Sequence, residues 1–182
     1  MIKMIFATGL HREFGNKDKL PWGKTIKEDM DHFKSYTEGT IMVMGSATFD
    51  SLPGILPNRR HIVVSRNRNI KQVDHPLVEY MILSDGQDLA EEIRFMDTYR
   101  SRDICVIGGA QIIEQMINEV DEVSYTRISK IRPIGDSGKL DHDVKISKNV
   151  FDQMHQRSPD QTNTVFTDGF TLQNTIYYKE NT

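Results

Sequence analysis

The residue best placed to do chemistry is an acid standing where an apolar side chain is expected. In Leu20-Pro21-Trp22-Gly23-Lys24-Thr25-Ile26-Lys27-Glu28-Asp29-Met30-Asp31-His32-Phe33-Lys34, a Pro-Trp-Gly turn runs into a helical pattern. Ile26, Asp29, Met30 and Phe33 fall at i, i+3, i+4 and i+7, which is one face of a helix. Three of the four are apolar and the fourth is a carboxylate; Lys27, Glu28, Asp31 and Lys34 point elsewhere. A carboxylate on a core-facing stripe loses hydration, which raises its pKa. Such a group can carry a proton near neutral pH, the property a general acid needs. The plainer alternative is an Asp in the first helical turn, favoured by the positive end of the helix dipole. This stretch alone leaves both open.

Two further stretches have the form strand, glycine, helix start: Val43-Met44-Gly45-Ser46-Ala47-Thr48 and Val106-Ile107-Gly108-Gly109-Ala110-Gln111. In open α/β sheets, ligands sit at the carboxyl ends of strands. Two such ends side by side could hold a pyrophosphate, because glycine lets backbone N–H groups approach it closely. Either one alone reads equally well as a simple turn. Neither GxGxxG nor GxxxxGK[ST] occurs in the sequence.

The elements that must position these residues belong to one domain, since 182 residues suffice for a full core. Mean hydropathy is −0.50, and no apolar run approaches the roughly 20 residues of a membrane helix. Residues 1–7 are too short for a signal peptide and read as a first strand. A net charge of −3 gives no support for a nucleic-acid or membrane partner. The single cysteine, Cys105, excludes an internal disulfide framework and suits a reducing cytoplasm; its apolar strand context makes it filler rather than nucleophile. Asp141-His142-Asp143 lacks further spaced ligands and reads as a polar segment, so no metal is expected.

Strands are expected at residues 2–10, 40–45, 61–65, 77–83, 104–107 and 122–128, with helices from Thr25 (Glu28 completing a capping box), at 46–52, 85–97 and after Gly109. Residues 11–24 form a polar loop long enough to be functional. Residues 131–148 are polar and turn-rich. Phe170, Leu172, Ile176 and Tyr178 suit antiparallel strands. The fold class is therefore α/β: a mainly parallel central sheet of about eight strands and about four helices, with an antiparallel C-terminal strand.

Leu20-Pro21-Trp22, Asp29 with Phe33-Lys34, Met44-Gly45-x-x-Thr48-Phe49-x-Ser51-Leu52, Leu56-Pro57-x-Arg59 and Ile107-Gly108-Gly109-Ala110 come in the order and spacing of dihydrofolate reductase. The chain resembles that family without gaps from residue 1 to about 65, again from about 103 to 128, and in outline elsewhere. Residues 37–45 look most like the bacteriophage-encoded branch. The resemblance implies one domain over 1–182, with an adenosine-binding subdivision at about 40–105. It implies reduction of 7,8-dihydrofolate to 5,6,7,8-tetrahydrofolate by NADPH, in support of thymidylate and one-carbon metabolism. Asp29 would promote protonation of the pterin N5, with Thr126 bonded to it, Trp22 holding a water beside it, and Leu20 completing the catalytic group. Ile5, Ala7, Leu20 and Met30 would line the pterin end, with the carbonyls of Ile5 and Ile107 accepting from the ring amino groups. Phe33, Leu52 and Leu56 would wall the aminobenzoyl ring, with Lys34 on the same side. Arg59, or Arg60 beside it, would grip the glutamyl carboxylate.

On the cofactor side the resemblance implies Ala7, Gly15, Asn16 and Lys19 under a mobile lid at 11–24. It adds Gly45, Ser46, Ala47, Thr48, Ser65, Arg66, Gly108, Gly109, Ala110, Gln111 and Ile112 around the phosphates and ribose. Gly135, Asp136 and Ser137 would pair with the lid. Ser46, Ala47 and Gln111 stand where many members carry basic residues, and Ile113 where many have tyrosine. The phosphate grip should therefore lean on backbone amides, Thr48 and Arg66 or Arg68, with weaker discrimination between NADPH and NADH. A monomer is expected. The competing readings are a riboflavin-pathway reductase on the same fold and a folate-binding structural protein of a phage particle.

Overall fold

Three segments, Ile41–Gly45, Arg60–Ser65 in its central four residues, and Ile104–Gly108, are apolar apart from His61, are buried on both faces and form the middle of the sheet. The computed structural model describes residues 1–17, 19–132 and 136–180. In chain order the elements are β1 (Ile2–Gly9), β2 (Glu13–Gly15), α1 (Lys27–Thr37), β3 (Ile41–Gly45), α2 (Ser46–Ser51), β4 (Arg60–Ser65), β5 (Val78–Ile82) and α3 (Leu89–Asp97). They continue with β6 (Ile104–Gly108), α4 (Ala110–Met116), β7 (Glu122–Lys130), β8 (Val144–Lys145), α5 (Lys148–Met154), β9 (Ser158–Thr167) and β10 (Phe170–Tyr178).

Eight strands form one sheet in the order β5-β4-β3-β6-β1-β7-β10-β9. The pairs from β5 to β7 are parallel; β7–β10 and β10–β9 are antiparallel. The chain builds outward from β1 through β3, β4 and β5, returns as β6 between β3 and β1, and then adds β7 on the far side of β1. The direction of winding thus reverses at β1, and the carboxyl ends of β1, β3 and β6 leave a crevice there.

Alternation along the strands divides the core. One face carries Met4, Phe6, Ile41, Val43, Ile104 and Val106 under Leu89, Ile93, Ile113, Met116, Val150 and Met154 from α3, α4 and α5. The other carries Ile5, Met42, Met44, Cys105 and Ile107 under Phe33, Tyr36, Phe49 and Leu52 from α1 and α2. Cys105 is fully buried, and burial pushes its thiol up to about 12, so it packs rather than reacts.

The structure corrects several sequence expectations. Thr25 does not cap α1. Ile26 holds the N-cap position with no side-chain cap, and the Glu28 carboxylate instead accepts from the Thr167 hydroxyl at 2.9 Å. The α1 stripe faces a cavity rather than closed core: Ile26 is 1% exposed, whereas Asp29, Met30 and Phe33 are only half-buried. The third helix begins at Leu89, not Asp85, because Asp88 caps it by accepting from the Ala90 N–H at 2.7 Å. The main sheet has the eight strands expected; among the described residues there are five helices against about four, and a separate two-stranded sheet of β2 and β8 that was not expected.

The loop at 11–24 also contains β2, which pairs antiparallel with β8. Glu13 anchors this pair. Its fully buried carboxylate accepts from the His11 N–H at 2.7 Å and the Leu140 N–H at 3.2 Å. Burial pushes its pKa up, but these bonds and the His11 charge outweigh that and leave it below the usual value. Ser137 meets the loop through its carbonyl, 3.1 Å from His11 Nε2. Asp136 instead pairs with Arg132, and Gly135 lies outside the described residues.

Ile104 sits between Ile2 and Ile41 on the neighbouring strands and is fully buried. Ile104→Ala should cost about 3 kcal/mol in urea unfolding, as a cavity there cannot collapse. Val165→Ala on the exposed edge strand should stay within about 0.5 kcal/mol.

Candidate active site

A cavity of about 1030 Å³ opens at the carboxyl ends of the parallel strands. That is room for two small organic molecules in contact. Ile5 and Ala7 of β1, with Thr126 beside them on β7, form one part of the wall. Asp29, Met30 and Phe33 of α1, with Leu52, face them. Gly45 to Thr48, Ser65, Arg66, Ile107 and Gly109 to Ile112 make up the other end. Gly15, Asn16, Lys19, Leu20 and Trp22 close over the side.

Asp29 enters this wall with Met30 and Phe33 as its apolar neighbours on the helix. Burial alone raises its pKa from the ordinary 3.8 to about 6, because no cation or hydrogen bond from the described residues compensates the lost hydration. The expected Thr126–Asp29 hydrogen bond is not among those formed by the described residues. Thr126 Oγ1 instead accepts from Asn174 Nδ2 at 3.1 Å. Asn174, on β10, also donates to Ser124 Oγ at 3.1 Å, and Ser124 Oγ lies 2.8 Å from His32 Nε2. This net fixes the β7 hydroxyls behind the wall. Trp22 is 6% exposed and its indole N–H has no partner among the described residues, so a polar atom in the cavity is what it can serve.

The glycine ends converge. A Cβ on Gly45 would stand 3.6 Å from Ile112 Cγ1 and 3.8 Å from the Gly109 nitrogen. One on Gly109 would stand 3.3 Å from Thr48 Oγ1. Side chains at these positions would fill the backbone cradle between β3 and β6, so the structure fits an extended phosphate-bearing ligand laid across it. The basic groups divide as follows. Arg66 lines the cavity and an adjoining polar hollow with Ser84, Gln87 and Gln115. Arg68 is turned aside, its Nη2 donating to Ser84 Oγ at 3.1 Å.

Four expected site residues lie outside the cavity wall: Lys34, Leu56, Arg59 and Gly108. Leu56 packs against the same core cluster as Phe33 and Leu52, and Gly108 is covered by Phe14 and Thr48. Arg59 is 4% exposed and bonded to Thr37, Pro57 and Lys34. Arg60 points away, toward Glu79 at 3.5 Å. The sequence reading missed Phe14, Gln115, Asp143 and Val144, all in the wall. Gln115 follows Gln111 by one helical turn, which was a readable signal. Phe14 was readable only as an aromatic in a polar loop. Asp143 and Val144 arrive through the β2–β8 pairing, which no local pattern announces.

A carboxyl raised in the folded state still holds its proton between pH about 4 and about 6, where the unfolded chain has lost it. Stability therefore falls as pH rises across that window, and the cost persists at neutral pH. Asp29→Asn should raise unfolding free energy by about 2 kcal/mol at pH 7.5 and leave it unchanged at pH 3.5. No gain at pH 7.5 would show that the carboxylate is solvated.

The family model described as dihydrofolate reductase matches residues 1–173. Dihydrofolate reductase type A10 of Escherichia coli is 31% identical over 137 residues, covering 73% of this chain and 68% of that protein. The dihydrofolate reductase of Bacillus subtilis is 32% identical over 129 residues, covering 70% and 69%. Among solved structures, dihydrofolate reductase from Enterococcus faecalis complexed with NADP(H) and RAB-propyl shares the fold. It has a TM-score of 0.78 over 100% of this chain and 97% of that one, at 22% identity. With its sheet order, its cavity and its acid on α1 in place, the chain belongs to the dihydrofolate reductase family.

Proposed function

We propose that this chain reduces 7,8-dihydrofolate to 5,6,7,8-tetrahydrofolate, with Asp29 promoting protonation of the pterin N5. The observation that carries the reading is the Asp29 carboxyl, unpaired in the wall of a cavity for two ligands and raised to about 6 by burial. Protonating the N5 imine makes the adjacent C6 electrophilic, and bound NADPH supplies the hydride that C6 accepts. Asp29 holds the pterin ring and keeps a minor protonated fraction at neutral pH, which grows as pH falls toward 6. Ile5, Ala7, Leu20 and Met30 pack on the ring, and Thr126 and Trp22 offer it polar partners. Phe33 and Leu52 enclose the aminobenzoyl group, and Leu56, Lys34 and Arg59, outside the cavity wall, stand toward the glutamyl tail.

Ala7, Gly15, Asn16 and Lys19 serve the nicotinamide end, and the segment at 11–24 shields it from water. The Gly45–Thr48 and Gly109–Ile112 backbones carry the pyrophosphate. Ser65 and Arg66 take the adenosine phosphate, within a subdivision at about 40–105. The reading includes a monomer working in a reducing cytoplasm, from the phage-encoded branch that residues 37–45 resemble. No helix among the described residues is long and apolar enough to cross a membrane.

The test is loss of NADPH absorbance on adding dihydrofolate. Wild-type turnover should fall as pH rises above about 6. Asp29→Asn should lower kcat about 100-fold or more at pH 7.5 and recover at low pH, where the substrate arrives protonated. A variant as fast as wild type at pH 7.5 would contradict the proton role. In the same assay, replacing NADPH by NADH should cost wild type less than about 10-fold in kcat/KM, since Ser46, Ala47 and Gln111 bring no charge to that end of the cavity and Arg66 is the cation next to Ser65 in its wall. A much larger preference would mean that other groups read the 2′-phosphate.

A further inference from the structure

The Arg59 guanidinium is nearly spent before any ligand arrives. Its Nε–H donates to Thr37 Oγ1 at 3.0 Å, and Nη1 donates to the Pro57 carbonyl at 2.6 Å. Its Nη2 donates to the Lys34 carbonyl at 2.7 Å and meets Glu38 Oε2 at 2.7 Å. Three of the five N–H groups of the guanidinium are thus hydrogen-bonded, one on Nη1 is left over, and the second on Nη2 is faced by the Glu38 carboxylate as an ion pair. A two-pronged carboxylate bond needs two, in parallel. One existing partner must therefore leave.

Three of the four cannot. Two are backbone carbonyls held by the α1 terminus and the 57–60 turn, and the third is the hydroxyl of fully buried Thr37, which itself donates to the Phe33 carbonyl at 2.8 Å. Glu38 differs. It lies at the C-cap of α1 with its side chain 53% exposed, while Arg59 is 4% exposed. Its second oxygen accepts from Asn58 Nδ2 at 3.1 Å. The Glu38 carboxylate therefore occupies the outward seat on Arg59, the place a ligand carboxylate would take, and it can swing into water.

We propose that Glu38 is a specificity-determining residue: an internal carboxylate that competes with the substrate's glutamyl carboxylate for Arg59 and so weakens selection for the tail. The proposal rests on the reading that Arg59 receives that tail. Substrate carrying the carboxylate must first displace Glu38, and the freed Glu38 charge then repels it. Substrate lacking the carboxylate meets neither cost. The pterin and aminobenzoyl contacts are untouched, so the effect falls on binding of one ligand class rather than on the chemical step.

The experiment compares 7,8-dihydrofolate with 7,8-dihydropteroate used as its primary amide, which lacks the glutamate and any free carboxylate, for wild type, Glu38→Ala, Glu38→Gln, Arg59→Ala and Arg59→Lys, with Tm measured for each. Glu38→Ala should lower KM for dihydrofolate about three- to five-fold, the reach of an ion pair with one exposed partner. KM for the dihydropteroate amide and both kcat values should stay within about two-fold. Glu38→Gln should fall between Glu38→Ala and wild type. Equal changes for both substrates, or none, would overturn the proposal. The arginine variants separate its failure from that of the tail reading. If they leave the ratio of the two KM values where wild type has it, Arg59 does not receive the tail and both ideas fall. If they collapse that ratio and Glu38→Ala does not move it, only the competition falls. Arg59→Lys carries this comparison should Arg59→Ala not fold.

Discussion

The site depends on one uncompensated desolvation. Asp29 is held in an apolar wall by a helix whose neighbouring residues on the same face, Met30 and Phe33, leave its carboxyl no charge and no hydrogen bond from the described residues. An ion pair there would pin the group ionised and useless as an acid. Full exposure would do the same by hydration. The half-buried position lies between, and it costs the fold stability at neutral pH, as functional sites commonly do.

Everything nearby serves to keep that position without closing it. The reversal of winding at β1 opens the crevice, and the β6 return places Gly109 opposite Gly45. Behind the wall, the Asn174–Ser124–His32 net satisfies its own polar groups and bonds the Thr126 hydroxyl. Burial lowers the His32 pKa, so the net adds no cation beside the acid at neutral pH. On the open side, buried Glu13 ties residues 11–15 to Leu140, and the β2–β8 pair brings Phe14 and Val144 to the cavity. Two short strands far apart in sequence thus build one wall of the site.

Much of this was legible in the sequence wherever a period or a continuous apolar run carried it. The α1 stripe gave Asp29 its place, and the runs at 41–45, 61–64 and 104–107 gave the central strands. The failures have physical causes. Thr25 offered a capping box, but tertiary bonds drew Glu28 to Thr167. The α3 start slipped because Asp85 and Asp88 are both good caps; only the turn closed by Gln87 on the Ser84 N–H decides between them. Strand β9 shows no alternation because, as the sheet edge, all but its last residue are exposed. Arg59 was readable as a candidate, but its true surroundings come from Thr37, Lys34 and Glu38, more than twenty residues earlier.

The most direct measurement is the titration of Asp29 itself. The ¹³Cγ resonance of Asp29, assigned by comparison with Asp29→Asn and followed against pH in the ligand-free protein, should show a midpoint near 6. A midpoint below 4 would mean that the carboxylate is solvated or paired, and the proton-holding role assigned to this site would fall with it.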